Sequence, residues 1–262
     1  MNTAVKALEH AGLLVTGGTS GIGLAIAAAF LEAGVERLMV NGRNEERGAE
    51  AVRHLRAMAP SATIAFVAAD VTIAAQAARL VDEARTALDS LDVLVNCAGG
   101  DHAPELLHEI EVERVAAVLN HYILGTVHVS RCALPHMMAA GGGVIINVAS
   151  DAGRVPTPGA CLNGAAMAAI IMFSRTLAVE AKRSGVRVHA LTPSIVSDTR
   201  TFDRVMEPGF SAKLFAKAIS RASLGVVGPD DVAPAAVFLA SPAAAKMTGQ
   251  VISVNGGISV AT

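Results

Sequence analysis

The sequence predicts an α/β protein with a doubly wound parallel sheet of about seven strands and helices on both faces, forming one domain over residues 1–262. Three observations predict this class. Short apolar runs alternate with longer stretches of helical periodicity, which is typical of successive βαβ units. A glycine-rich turn directly follows the first apolar run. The length fits one large domain, and 52% hydrophobic residues suffice for a buried core.

The alternation of the two patterns can be followed along the chain. Seven runs have the strand pattern, at residues 13–16, 37–40, 63–68, 92–96, 144–148, 186–191 and 251–254. Six stretches have the helical pattern, at residues 22–33, 45–58, 73–88, 112–138, 158–182 and 230–240. Residues 200–223 are polar with scattered Phe, and we expect them to cover the substrate. Right-handed crossovers should connect the strands.

Composition and charge exclude several classes of protein. The net charge is −2 and there is no run of Lys or Arg, so nucleic acid is not an expected partner. Cys97, Cys132 and Cys161 lack the spacing of a metal or disulfide framework, and no metal site is expected. The first ten residues lack the pattern of a signal peptide, and no stretch is predicted to span a membrane. We therefore expect a cytoplasmic protein.

The glycine-rich turn has the pattern of a dinucleotide site in a Rossmann-type sheet. It lies between the first strand and the first helix, where the pyrophosphate of a dinucleotide is bound. Gly17 permits the tight turn, Gly21 lets the backbone approach the phosphates, and Gly23 lets helix and strand pack closely. Helix N–H groups and the helix dipole then bind the negative charge. The alternative is a glycine-rich turn without a ligand.

Several motifs resemble the short-chain dehydrogenase/reductase family. TGGTSGIG at residues 16–23 is similar to the family's T-G-x-x-x-G-x-G loop. NCAG at residues 96–99 resembles N-N-A-G after the fourth strand, and VISVNGG at residues 251–257 resembles a closing strand that usually has V-D-G-G. The resemblance covers nearly the whole chain, and it implies the strand order 3-2-1-4-5-6-7.

The resemblance also implies which residues bind the cofactor. Asp70 ends the third strand at the position that holds the adenine. After the sixth strand, Pro193 begins the family's P-G pair, and Asp198 takes the usual Thr position unless the loop has shifted by one residue. The implied cofactor-binding residues are Gly17, Thr19, Ser20, Gly21, Ile22, Gly23, Arg43, Asp70, Val71, Asn96, Ala98, Gly99, Pro193 and Val196.

The end of the second strand predicts the choice of cofactor. An acidic residue there would accept hydrogen bonds from the ribose of NAD and repel the extra phosphate of NADP. This chain has VNGRN at residues 40–44, with Gly42 in place of the acid and Arg43 after it. An arginine suits a phosphate through its planar set of donors. We therefore expect NADP(H) in preference to NAD(H); the alternative is that Arg43 is a solvated loop residue.

Two of the four catalytic positions implied by the resemblance have changed. Asn120 and Ser150 match the family's Asn and Ser, but its Y-x-x-x-K pair is replaced by Asn163 and Met167. Asn163 stands thirteen residues after Ser150, and LAVE at residues 177–180 confirms the register. In the family the Ser binds the substrate carbonyl, the Tyr moves the proton, and the Lys lowers the pKa of the Tyr and holds the ribose.

The two replacements remove the usual proton donor. An amide cannot deliver a proton near neutral pH, and loss of general acid catalysis typically costs about 10²–10⁴ in rate. His121, Cys161, His102 and Asp151 are candidates for a substitute donor, although each type is more often structural or solvent-facing. The chain's only tyrosine, Tyr122, lies on another helix.

Three functions remain compatible with the sequence. The first is an NADP(H)-dependent oxidoreductase that acts on a small-molecule ketone or secondary alcohol with an altered proton path. The second is a catalytically inactive, cofactor-binding subunit that partners an active paralogue. The third is a non-redox lyase or isomerase in which Ser150 polarises a carbonyl.

One helix predicts association with another subunit. Residues 164–173 read GAAMAAIIMF and are apolar on every side, so both faces of the helix must be covered. The sheet covers one face. A second subunit would cover the other, in a homotetramer or in a hetero-oligomer with a paralogue, unless a loop of the same chain does so.

Overall fold

The computed structural model of the chain describes residues 6–100 and 102–260. Its centre is one parallel sheet in the order β3-β2-β1-β4-β5-β6-β7, as the family resemblance implied. The strands are β1 Gly12–Thr16, β2 Arg37–Gly42, β3 Thr63–Ala68, β4 Val93–Asn96, β5 Gly143–Val148, β6 Val186–Leu191 and β7 Val251–Ile252. Residues 1–5, 101, 261 and 262 belong to the predicted domain but lie outside the described residues.

Helices cover both faces of this sheet. They are α1 Gly21–Glu32, α2 Glu45–Met58, α3 Ala74–Ala87, α4 Val112–Ala139, α5 Cys161–Ala181, α6 Arg200–Val205, α7 Phe210–Ile219 and α8 Pro229–Ala240. One buried cluster joins the sheet to α1, α2 and α8, and a second joins it to α3, α4 and α5. The predicted doubly wound fold is therefore confirmed.

The core is formed by large side chains that are fully removed from water. Ile26 and Phe30 of α1 are buried on one face of the sheet, and Leu80 of α3 is buried on the other. Each such side chain contributes about 1.5–3 kcal/mol through the hydrophobic effect. The strands of this sheet are buried on both faces, which explains their nearly continuous apolar runs.

Most boundaries lie within two residues of the sequence prediction, and three differences bear on the site. Residues 200–223 contain two helices, and α6 begins where the Thr199 side chain accepts a hydrogen bond from the Phe202 N–H. β7 ends at Ile252 instead of residue 254. α5 begins at Cys161 instead of residue 158, because Pro158 and Gly159 form a turn in which Gly159 has a φ of +76°.

The order of the strands creates a crevice for a ligand. β1 pairs with β2 on one side and with β4 on the other, so the crossovers from β1 and β4 leave the sheet in opposite directions. In open α/β sheets, ligands bind at this point, beyond the carboxyl ends of the strands. The candidate site is built at this edge.

A buried arginine and a buried histidine stand side by side on β6. Arg187 donates hydrogen bonds to the carbonyl oxygens of Leu239 (2.5 Å), Ala240 (3.0 Å) and Ala244 (3.1 Å), and so caps the carboxyl end of α8. Burial lowers the pKa of Arg187 to about 10. Burial, together with the charge of Arg187, lowers the pKa of His189 to about 4.

The low pKa of His189 predicts a loss of stability in acid. Between pH 6.5 and pH 4 the unfolded chain protonates this histidine and the folded chain resists protonation, so the free energy of unfolding falls as the pH falls through that window. The loss is on the order of 3 kcal/mol. In denaturant titrations, His189→Asn should remove this part of the pH dependence, and His54→Asn, at an exposed position, should keep it. Equal slopes in both variants would contradict the prediction.

Candidate functional site

The glycine loop lies between β1 and α1, and it leaves no room for side chains. Gly17 has a φ of +65°, and a Cβ there would lie 2.7 Å from the backbone nitrogen of Ala98. A Cβ on Gly23 would collide with the carbonyl oxygen of Gly17. Ser20 stands at the N-terminal cap of α1, where its side chain makes no capping hydrogen bond. The first turn of α1 therefore presents its N–H groups to a phosphate, which is the fit that a dinucleotide requires.

The loop after β4 is held against β1. The Thr16 hydroxyl oxygen accepts hydrogen bonds from the N–H groups of Cys97 and Ala98, both at 3.2 Å. A Cβ built on Gly99 meets no atom within 4 Å, so open space lies beside this residue. Burial raises the pKa of the Cys97 thiol to about 12, although part of the residue remains accessible. Cys97 is therefore an unreactive wall of the crevice.

A buried polar network supports this loop from beneath. The Asn96 amide donates to the hydroxyl oxygen of Ser130 (2.9 Å) and to Oδ1 of Asn147 (2.8 Å). Asn147 donates in turn to the hydroxyl oxygen of Ser174 at 2.8 Å. The network joins β4 and β5 to α4 and α5. Asn96 thus supports the cofactor loop instead of pointing into the crevice.

Asp70 and Arg43 lie together at the far end of the crevice. The Asp70 carboxylate accepts hydrogen bonds from the Thr72 N–H (2.9 Å) and hydroxyl (2.6 Å). Burial acts to raise the pKa of Asp70, but these bonds and the charges of Arg43 and His121 outweigh it, so the pKa lies below its ordinary value. The Arg43 guanidinium is 4.0 Å from the Asp70 carboxylate, and its side chain is 59% exposed.

The contacts of two neighbours of Arg43 were not predicted from the sequence. Asn41 is buried, and its amide donates to the carbonyl oxygens of Val67 (3.0 Å) and Ala69 (3.1 Å), which fixes the backbone that leads to Asp70. A Cβ on Gly42 would lie 2.9 Å from the hydroxyl oxygen of Thr19. An acidic side chain at position 42 would therefore require Thr19 to move.

The loop after β6 reaches over the glycine loop. The Pro193 carbonyl oxygen accepts a hydrogen bond from the Asp151 N–H at 2.9 Å, and Val196 is buried. The Thr199 methyl group lies 3.4 Å from the Cβ position of Gly21. Asp198 has a φ of +56°, and its carboxylate accepts from the Ser197 hydroxyl at 2.9 Å. Thr199, and not Asp198, therefore lies against the glycine loop.

Ser150 follows β5 and begins a short 3-10 turn. Its hydroxyl oxygen accepts a hydrogen bond from the Ala152 N–H at 3.2 Å. The turn packs closely on the start of α5, because a Cβ on Gly164 would lie 2.7 Å from the Ala152 carbonyl oxygen. Ser150 is therefore fixed beside the first turns of α5, which carry Asn163 and Met167.

Asp151 is a buried anchor for the last strand. Its carboxylate accepts hydrogen bonds from Ser253 (2.6 Å), Asn255 (2.5 Å) and Ser259 (2.8 Å). The side chain is 4% exposed. These bonds tie the Ser150 turn to the segment after β7. Asp151 is thus occupied by structural contacts and does not face a substrate.

Asn163 and Met167, at the positions where the sequence analysis expects the family's Tyr and Lys, have opposite surroundings. The Asn163 side-chain oxygen is buried and has no hydrogen-bond partner among the described residues. Met167 is 7% exposed and belongs to an apolar cluster that includes Tyr122 and Ala149. Cys161, at the start of α5, is exposed. Met167 is therefore part of an apolar core.

The structure does not bring Asn120 to this site. Asn120 is exposed on the outer side of α4, whereas Tyr122 is 5% exposed and faces inward with Val118 and Gly125. Side chains two positions apart on a helix point in directions that differ by about 200° around the axis. Asn120 therefore does not stand with Ser150 and Asn163, and Tyr122 takes the inward position. Sequence reasoning missed Tyr122, although its periodicity with Val118 and Gly125 was a usable signal.

A small cavity lies next to Asn163. It has a volume of about 20 Å³, enough for one water molecule, and its walls include His102, Val118 and Asn163. Pro104 and Gly159 also line it, and Phe210 of α7 packs beside them, 2.9 Å from the Cβ position of Gly159.

Within residues 6–100 and 102–260, no group of three His, Cys, Asp or Glu side chains could hold a metal ion. One helical segment, Cys161–Ser184, is long and apolar enough to cross a membrane by length and composition. Core helices meet the same test, and α5 packs against α4 and β6 in this fold.

Comparisons with known proteins agree with this geometry. Residues 12–208 match the family described as short chain dehydrogenase, and the chain belongs to that family of nicotinamide-dependent oxidoreductases. It is 35% identical to cis-4-hydroxycyclohexanecarboxylate dehydrogenase of Sinomonas cyclohexanicum, over 93% of this chain and 94% of the relative. It is 33% identical to 3-oxoacyl-[acyl-carrier-protein] reductase of Chlamydia muridarum, over 96% and 98%.

Solved structures of the same family have the same fold. A short-chain type dehydrogenase/reductase from Mycobacterium ulcerans superposes with a TM-score of 0.86 at 31% identity, covering 94% of this chain and 88% of that one. A 7α-hydroxysteroid dehydrogenase complexed with NADH and 7-oxo glycochenodeoxycholic acid has a TM-score of 0.86 at 27% identity, covering 96% of each chain.

The Asp151 anchor predicts that Asn255→Asp destabilises the protein. Asn255 stands where V-D-G-G would have an acid, and the new carboxylate would face that of Asp151, which lies 2.5 Å from the Asn255 amide. Two carboxylates this close cannot both ionise. The free energy of unfolding should fall at neutral pH by an amount on the order of 3 kcal/mol, and by less in acid, where one carboxyl is protonated.

The matched control for this variant is Asn44→Asp. It adds the same charge at an exposed helix cap, where Asp serves as well as Asn. Thermal unfolding should separate the two variants at pH 7 and bring them together in acid. Equal melting temperatures at pH 7 would show that Asp151 tolerates a second carboxylate and is not a tight anchor.

Proposed function

We propose that this protein is a cytoplasmic, NADP(H)-dependent oxidoreductase that interconverts a small-molecule ketone and secondary alcohol along an altered proton path. The choice of cofactor rests on one observation: Arg43 stands at the end of β2 beside Gly42, where an acidic side chain would require Thr19 to move. The contact of Arg43 with Asp70 is 4.0 Å long and exposed to water. Such a contact contributes little energy, so the guanidinium is free to turn toward a phosphate.

The cofactor-binding residues divide by the part of the dinucleotide they would hold. The pyrophosphate would be held by Gly17, Thr19, Ser20, Gly21, Ile22 and Gly23. The additional phosphate would be held by Arg43, and the adenine by Asp70 and Val71. The remainder of the crevice would be lined by Ala98, Gly99, Pro193 and Val196, with Asn96 beneath it. When bound, the cofactor supplies or accepts the hydride. The protein must bind it, orient the carbonyl and move one proton.

Ser150 and Asn163 would orient the substrate. The Ser150 hydroxyl can donate a hydrogen bond to a carbonyl oxygen while its oxygen accepts from Ala152. The unpartnered oxygen of Asn163 can accept from a hydroxyl group, so it suits the alcohol form of the substrate. The amide of Asn163 is not an acid, so the proton must come from another group.

The exposed side of α5 would bind a second copy of the chain, in a homotetramer. Between Cys161 and Met172 its exposed residues are small or apolar, whereas Arg175 and Glu180 further along are charged. Met172 and Val179 are 58% and 62% exposed. Light scattering at micromolar concentration should give a mass well above the 26.7 kDa of one chain. Met172→Glu should lower that mass, because a charge at an apolar interface is costly. A monomer in both cases would refute the interface, and a second kind of subunit in the native complex would favour a hetero-oligomer.

The assignment of the cofactor predicts tighter binding of NADPH than of NADH. Arg43→Ala should remove most of the difference, since a charge-assisted hydrogen bond contributes about 1.5–3 kcal/mol, or roughly 10- to 100-fold in affinity. Fluorescence titration of each cofactor measures this. The control is Arg53→Ala, which removes an equal charge from an exposed position on α2.

Two results would count against this function. Equal affinities for NADPH and NADH in the natural protein would remove the role of Arg43. Tight binding of NADPH without oxidation of it by any cyclic ketone or β-keto ester would favour the inactive subunit, or the non-redox lyase or isomerase, over the oxidoreductase.

A further inference from the structure

The cavity beside Asn163 lies between the loop that follows β4, the start of α4 and the start of α5. Most of the side chains that line it are apolar, among them Ile110 and Val118. Of the described residues in its wall, Arg114 is the only permanent cation and Glu105 the only acid. A ligand that fits this cavity would therefore have an apolar body and would meet one charged pair.

Arg114 reaches the cavity from the first turn of α4. It stands one helical turn before Val118, about 6 Å along the axis, and both residues line the cavity. The guanidinium donates to the two carboxylate oxygens of Glu105 at 3.4 and 3.3 Å, which are long hydrogen bonds. Its other three N–H groups have no acceptor among the described residues. Arg114 can therefore bind a further or a better carboxylate.

Glu105 is placed at the cavity by its backbone. Its N–H donates to the carbonyl oxygen of Gly159 at 2.9 Å, and Gly159 lies one turn before Asn163 and lines the same cavity. Among the described residues, the Glu105 carboxylate contacts only Arg114, and the two side chains are 32% and 50% exposed. Such a pair contributes little energy, so the carboxylate can turn into water. Glu105 thus occupies Arg114 in the way that the carboxylate of a ligand would.

We propose that the substrate of this protein carries a carboxylate, which replaces Glu105 on the Arg114 guanidinium while the alcohol hydroxyl donates to the Asn163 oxygen. This substrate class, a hydroxy acid and the corresponding keto acid with an apolar spacer, rests on the proposed oxidoreductase function. The Asn163 oxygen is buried and has no partner among the described residues, so a hydroxyl group at this cavity would satisfy it. With Glu105 turned outward, Arg114 leaves the cavity with a positive charge that favours an acid over a neutral ketone.

A purely structural ion pair between the loop and α4 is the alternative. Stability of the helix does not explain Arg114, because a cation in the first turn of a helix is unfavourable. The two readings predict different effects of mutation. If the pair is only structural, Arg114→Gln and Glu105→Gln break the same contact and should act in the same direction. If Arg114 binds a substrate that Glu105 competes with, the two variants should act in opposite directions.

The first experiment measures the KM of linear keto acids in NADPH-dependent reduction, each beside its neutral methyl ester. The series has two to four methylene groups between the ketone and the carboxylate. Arg114→Gln should raise the KM of the preferred acid about tenfold and leave that of its ester unchanged, since a charge-assisted hydrogen bond is lost. Glu105→Gln should lower the KM of the acid. Arg131→Gln, at an exposed position on the same helix, should change neither.

The second experiment does not depend on turnover. The hydroxy acid that corresponds to each keto acid is titrated calorimetrically into the NADPH complex, in which it cannot be oxidised. We expect binding that Arg114→Gln weakens about tenfold and Glu105→Gln strengthens. The melting temperatures of both variants show whether they are folded.

The outcomes separate the substrate class from the proposed function. Equal KM values for acid and ester in the natural protein, or weaker binding of the acid in both variants, would overturn the substrate class and leave the oxidoreductase intact. Failure of every hydroxy acid in the series to bind the NADPH complex would also overturn it. Binding that responds to Arg114→Gln, without oxidation of NADPH by any ketone, would support the carboxylate site and refute the oxidoreductase.

Discussion

The close approach of two chain segments at the carboxyl ends of β1 and β4 is the constraint on which the site depends. Gly17 touches the backbone of Ala98, and the Thr16 hydroxyl oxygen accepts hydrogen bonds from two successive N–H groups of the facing loop. A side chain at position 17 would push these segments apart. Because α1 starts from one segment and the loop after β4 from the other, their contact fixes the phosphate-binding end of α1 relative to that loop. The width of the crevice is therefore set by these two backbone segments, and only the side chains that line it can vary.

The departures from the family's catalytic pattern fit together physically. A lysine at position 167 would bring a charge into a cluster whose buried members are apolar or aromatic, and desolvating an unpaired ion costs several kcal/mol. Met167 avoids that cost and packs with Tyr122. A charge is also absent behind the site. Asn255 stands where the family's closing motif usually has an acid, and it donates a hydrogen bond to the buried Asp151. Both residues therefore place a neutral side chain where the family's pattern would bury a charge.

Much of the fold could be predicted from the sequence, and the part that failed has a geometric cause. The glycine loop and the strand order follow from motifs in which the residue type dictates the backbone, as at Gly17. The inward face of α4 does not follow from a motif. In a helix of 28 residues, packing decides which side chains point toward the core. The match of Asn120 to the family's Asn therefore predicted an inward side chain for a residue that lies on the outer side of the helix. The loop after β6 was also not predictable in detail, and Thr199 lies against the glycine loop where Asp198 was expected. A loop can absorb one residue without changing the strands. The short helices α6 and α7 offered too few turns for a periodic pattern to be recognised.

The cavity beside Asn163 connects these features to the way a substrate would enter. Among the described residues, its rim is joined by three contacts: the Glu105 N–H donates to the Gly159 carbonyl oxygen (2.9 Å), the Ser211 hydroxyl donates to the Pro104 carbonyl oxygen (3.3 Å), and Glu105 pairs with Arg114 at 3.3 Å. The ion pair is partly exposed, and such pairs contribute at most about 1 kcal/mol. Breaking this pair to admit a substrate therefore costs little, and a substrate hydroxyl would satisfy the unpartnered Asn163 oxygen at the same cavity.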